Sequence, residues 1–110
     1  MKTMTGTISA DYKVPGGKLL RVRLSSDPTQ RPPTITRVAL TGDFFMYPEE
    51  AIEELEAVLV GVPLTRKILQ ARIEIFLGER VQVIGAAPED FAHVIMIAYA
   101  RMAKRNISSQ

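Results

Sequence analysis

Four groups of residues in this 110-residue chain have types and spacings that could do chemistry. Gly42-Asp43-Phe44-Phe45 sets a carboxylate and two large aromatics behind a glycine. Either Gly42 allows a sharp bend, Asp43 caps backbone N–H groups and the rings fill a seam, or Asp43 and one exposed ring form part of a docking surface. Gly16-Gly17-Lys18 has the glycines and cation of a phosphate cradle. A P-loop, however, needs four residues between its glycines and a helix after them, so a hairpin turn is the first reading. His93 is the only histidine, and with no cysteine present it lacks the partner that nucleophilic catalysis needs, leaving a surface or interface role. Glu49, Glu50, Glu53, Glu54 and Glu56 resemble a metal or acid-base cluster, but consecutive acids on one helix ordinarily face solvent.

The elements that must position these groups follow from periodicity. Met4, Gly6, Ile8, Ala10 and Tyr12 alternate with polar residues, so Thr3 to Lys13 reads as a strand with one buried face. Val14-Pro15-Gly16-Gly17 reverses the chain, and the alternation of Leu20, Val22 and Leu24 gives a second, antiparallel strand. Asp27-Pro28 and Pro32-Pro33 place a loop over Ser25 to Pro33, and Thr34 to Thr41 supplies a third strand. A helix starting at Pro48 and ending near Leu59 would bury Ala51, Ile52, Leu55, Val58 and Leu59. Thr65 is placed to cap a second helix with Leu69, Ile73 and Phe76 inward and Gly78 at its end. Val81 to Ala87 is a connector or a short strand. Pro88-Glu89-Asp90 opens a third helix with Phe91, Val94, Ile95, Ala98 and Met102 inward, and Asn106 to Gln110 is expected to fray. The reading is an α+β fold: a three-stranded antiparallel meander followed by about three helices packed on one face, as a single domain over residues 1–110.

Composition narrows the function classes. The absence of cysteine excludes disulfides, thiol catalysis and cysteine-ligated metal or iron-sulfur sites, and fits a cytoplasmic protein. The longest nearly apolar run, Phe91 to Ala100, is half the ~20 residues that a membrane helix requires. Charge is segregated: residues 1–42 carry seven Lys or Arg against Asp11 and Asp27, whereas residues 43–60 carry six acids and no base. Such a basic half beside an acidic helix suits an anionic ligand or a charged partner, and equally well solvated faces that keep the protein soluble. Lys18, Arg21, Arg23 and Arg37 along one sheet edge would also suit a small nucleic-acid-binding module, although 6% aromatic content without Trp gives little to stack on bases. A self-associating structural module is a further alternative.

Tyr12-Lys13-Val14-Pro15-Gly16-Gly17-Lys18-Leu19-Leu20-Arg21-Val22, then Gly42-Asp43-Phe44-Phe45, Pro48-Glu49-Glu50 and Leu59-Val60-Gly61-Val62-Pro63-Leu64, closely resemble the carboxyl-terminal domain of lipoate-protein ligases. The resemblance covers about residues 8 to 105, in the expected order. It implies a fold akin to the sulfur-transfer and iron-sulfur scaffold proteins. It also implies the separate small subunit found in some archaea, non-catalytic and working with a catalytic large subunit. The family reaction joins lipoate to ATP as lipoyl-adenylate, with Mg, before a lysine of a lipoyl-acceptor domain displaces AMP. The large subunit's essential lysine and its Arg-Arg and Gly-rich segment have no counterpart here, so ATP, Mg and lipoate are expected to be used by the complex and this chain alone to be inactive. Lys13, Gly16, Gly17, Lys18, Gly42, Asp43 and Phe44 match motif positions and are the ligand- or partner-proximal candidates.

Overall fold

The computed structural model describes residues 6–108. Three strands, β1 (Ile8–Lys13), β2 (Leu19–Asp27) and β3 (Thr34–Gly42), form an antiparallel sheet in sequence order. Leu20, Val22 and Leu24 of β2 are at most 1% exposed while Arg21 and Arg23 lie outward, the alternation expected of a sheet with one covered face. The register slips between Ser25 and Ser26, where Arg37 and then Ile35 stand opposite. This bulge leaves Thr36 and Arg37 both exposed and returns Ile35 to the buried face with Val38 and Leu40, although an odd spacing separates them.

Helices α1 (Ala51–Leu59), α2 (Arg66–Leu77) and α3 (Pro88–Ser108) supply the cover. In α3, Phe91, Ala92, Val94, Ile95 and Ala98 are fully buried, packing on β1, β2 and α2, and α1 packs beside β3. One continuous core results. A second, two-stranded ribbon pairs β4 (Phe45–Tyr47) with β5 (Gln82–Ile84). The outer edge of β3 is closed by chain rather than left open. Ile35 N–H donates to Val62 O at 3.0 Å, Gly61 N–H to Ile35 O at 2.7 Å, and Leu40 N–H to Glu56 Oε2 at 2.8 Å.

Several boundaries differ from the sequence expectation. The expected first-strand residues Thr3 to Thr5 lie outside the described residues, and the strand itself starts at Ile8. β2 runs on to Asp27, because Ser25 and Ser26 are buried and continue the ladder before the prolines stop it. The loop is then turned by Asp27, whose Oδ1 accepts from Thr29 N–H (2.9 Å) and Oγ1–H (2.6 Å). Pro48 does not start α1. Tyr47 is held in the ribbon, so the chain makes a turn, with Ala51 N–H donating to Pro48 O, and the first i→i+4 bond runs from Glu54 to Glu50. Val58 is 47% exposed and drops out of the core stripe, which is Ala51, Leu55 and Leu59 at strict four-residue spacing. Leu77 takes the buried position expected of Phe76, which is half-buried. Thr65 starts α2 through its carbonyl, bonded by Leu69 N–H, while its buried hydroxyl has no partner among the described residues. Asn106 to Ser108 continue α3, and residues 109 and 110 lie outside the described residues.

Candidate functional site

The β1–β2 hairpin closes with Val14 N–H donating to Lys18 O at 2.7 Å and Gly17 N–H to Val14 O at 2.9 Å. Gly16 and Gly17 both have positive φ, so the turn needs residues without a Cβ, and a strand follows on each side. The glycines therefore serve a hairpin. Lys13 and Lys18 flank the turn, both exposed.

The Gly42 corner is docked onto this hairpin through Leu19. Gly42 has φ +144°, and a Cβ there would stand 2.2 Å from Leu19 O, a contact that no side chain permits. Asp43 then uses both its backbone and its carboxylate. Its N–H donates to Leu19 O at 2.8 Å, and its Oδ2 accepts from Leu19 N–H at 3.4 Å. One residue thus stands in for a further rung of the ladder after β3 has ended. Gly85 completes the corner, since a Cβ there would lie 2.9 Å from Asp43 O.

From this corner the two aromatics diverge. Phe44 turns inward, 8% exposed, with its ring edge-on to Phe91 at 5.1 Å. Phe45 points outward at 66% exposure, and its rung partner Ile84 is 50% exposed. Tyr47, next on the same outward row, is 53% exposed, while Met46 between them is buried. A short ribbon thus holds three large apolar side chains in water, on a base fixed by two close glycine contacts and a buried ring pair. Scattered apolar residues on a surface need no explanation, but three on one rigid ribbon make a patch of the kind that proteins use for docking.

Of the residues singled out from sequence, the structure joins the hairpin glycines, Gly42 and Asp43 at one end of the molecule. The lysines stand beside that junction without entering it, and Phe44 is withdrawn into the core. Phe45, Tyr47 and Ile84 were not singled out as a patch. Their signal was Phe45 beside Phe44, but only the pairing of β4 with β5 sets Ile84 against it. The acidic run is not wholly in solvent either: Glu56 is half-buried and accepts the Leu40 N–H. His93 Nδ1 accepts from Arg66 Nη2 at 3.0 Å, which places any ring proton on Nε2, and its ring meets Tyr12 edge-on at 4.5 Å. No group of three His, Asp or Glu among the described residues is placed to hold a metal. At the far end of the sheet, an open groove of about 270 Å³ lies between the Asp27–Pro33 loop and α3, beside Arg31 and Tyr99. No helix among the described residues is long and apolar enough to cross a membrane.

Comparison with known proteins gives a consistent result. Lipoate-protein ligase A subunit 2 of Thermoplasma acidophilum is 33% identical to this chain over 95 residues, which is 86% of this chain and 94% of the relative. A solved chain from the same organism, part of a bi-partite lipoate protein ligase described with its lipoyl domain, matches with a TM-score of 0.62 and 33% identity, covering 84% of this chain and 94% of that one. No family model matches the chain.

Proposed function

This chain belongs to the family of lipoate-protein ligase A subunit 2, and from that membership we propose that it is the non-catalytic partner of a catalytic large subunit in a two-part ligase. The observation that carries the reading is the Phe45, Tyr47 and Ile84 ribbon, an exposed apolar surface on a packed corner, in a chain whose histidine, Asp43 and Glu56 are engaged structurally. His93 is bonded to Arg66, Asp43 to Leu19 and Glu56 to Leu40, so each has a task within the fold. None is arranged as a nucleophile with its base.

In this reading the complex uses ATP and Mg to activate lipoate. A lipoate carboxylate oxygen attacks the α-phosphorus, the bond to pyrophosphate breaks, and lipoyl-adenylate forms. The amine of an acceptor-domain lysine then displaces AMP, losing a proton as the amide forms. The small subunit contributes a surface, not a reacting group. Seating the ribbon in the large subunit orders that subunit's loops over the adenylate pocket and excludes water from it. The lack of cysteine suits work in the reducing cytoplasm.

The test mixes the purified chain with the large subunit, lipoate and labelled ATP. Lipoyl-adenylate is expected only when both proteins are present, and with Phe45→Ser and Ile84→Ser together both the complex and the product should be lost while the fold is kept. Equal adenylate formation without this chain, or turnover by this chain alone, would refute the proposal.

A further inference from the structure

The face of the three-stranded sheet turned away from the helices is basic. Strand register places Arg23 on the rung between Ser9 and Ala39, Arg37 on the rung opposite Ser25, and Arg21 between Asp11 and Thr41. Lys13 closes the row beside the hairpin turn. Among the described residues, four cations therefore share this face with one acid, Asp11, which is already paired with Arg21 at 2.7 Å. Arg23 and Arg37 are exposed and have no ion-pair or hydrogen-bond partner among the described residues.

We propose that this open sheet face docks against a carboxylate-bearing face of the ligase's large subunit, steering the encounter that the apolar ribbon then holds. The inference rests on the accessory-subunit reading above. Three properties of the face choose this occupant. It is built on extended rungs with small neighbours (Ser9, Ala39, Ser25), so the Arg23 and Arg37 guanidinium forks stand clear for bidentate contact with carboxylates. It has no aromatic side chain on its rungs, so bases would find nothing to stack on. Lys13 makes it continuous with the hairpin corner, next to which the ribbon lies. The acidic helix α1, by contrast, runs past the edge of β3, so the two charges of the chain are separated in space and orient it as it approaches a partner.

The experiment measures association of this chain with the large subunit by stopped flow at low and high salt. Wild type should associate fast at low salt and slow steeply as salt rises. Arg23→Glu with Arg37→Glu should lower the low-salt association rate about tenfold and flatten the salt dependence, while the dissociation rate and the unfolding midpoint stay near wild type. Arg23→Lys with Arg37→Lys, which keeps the charge, should restore most of the rate. Unchanged association in the charge-reversed variant would overturn the inference while leaving the accessory role intact, since wild type would still bind. No complex with wild type would overturn the accessory role itself. Tighter binding of a single-stranded oligonucleotide than of the large subunit by the same arginines would replace the proposed occupant with nucleic acid.

Discussion

Single residues at the corner carry unequal structural loads, and the geometry says which. Gly42 combines a positive φ with a Leu19 carbonyl where its Cβ would be, so Gly42→Ala must move backbone and is expected to cost about 3 kcal/mol. Gly16 also has a positive φ but faces open space, so Gly16→Ala should cost only about 1 kcal/mol. Urea midpoints at unchanged slope would measure both. Acid sensitivity is also set by individual groups. The hydroxyl and then the amide of Thr29 hold the Asp27 carboxyl below the ordinary aspartate range, and hydrogen bonding from Arg21 does the same for Asp11. A carboxyl whose folded pKa is depressed adds stability that is full above its unfolded pKa and disappears as pH falls through the folded value. Stability should therefore be level through neutral pH and decline only below the ordinary aspartate range, and Asp27→Asn should shrink that acid limb in urea melts taken across pH. Its exposed position keeps the effect small.

Among elements, α1 best separates sequence pattern from packing. Its apolar residues Ile52 and Val58 fit a helical stripe as well as Leu55 does, but a nine-residue helix lying beside one edge strand buries only a narrow seam. Leu55→Ala is expected to cost about 3 kcal/mol, against less than about 0.5 kcal/mol for Val58→Ala, in denaturant unfolding. The acid run on the same helix splits likewise. Glu56→Ala strands the Leu40 N–H at the sheet edge and should cost about 1–2 kcal/mol, whereas Glu53→Ala, at an exposed position, should be near neutral. The ribbon is the element least visible beforehand. Three-residue strands give too short a run for a period to be read, and β4 and β5 are brought together only after α1 and α2 have been laid between them.

For the whole molecule, the consequence is a division of labour between surfaces. An apolar ribbon on a fixed corner and a basic sheet face lie on a body whose third side is helix-covered. Charge-reversing the sheet face and truncating the ribbon should therefore act on different rate constants of one complex, association for the first and dissociation for the second. A His93→Ala variant of the small subunit is expected to leave adenylate formation by the assembled ligase unchanged, because His93 is occupied with Arg66 and Tyr12. Loss of turnover in that variant with the fold intact would bring the histidine into the chemistry.

The order of the three sheet strands and three helices, the inward rows of β1 and β2, the Leu69 and Ile73 face of α2, most of the α3 face and the hairpin glycines were legible in the sequence, because a period of two or 3.6 and a positive φ are local properties. The family resemblance was legible too, carried by motifs at the turn and the corner. What only the tertiary structure decided was non-local. It paired Phe45 with Ile84, sent Phe44 inward and Phe45 outward, and used Asp43 to bond Leu19, a strand away. It also moved Arg21, Arg23 and Arg37 from an expected sheet edge to an open face. Those outcomes depend on which segments meet, and a chain read residue by residue contains each partner without showing the contact.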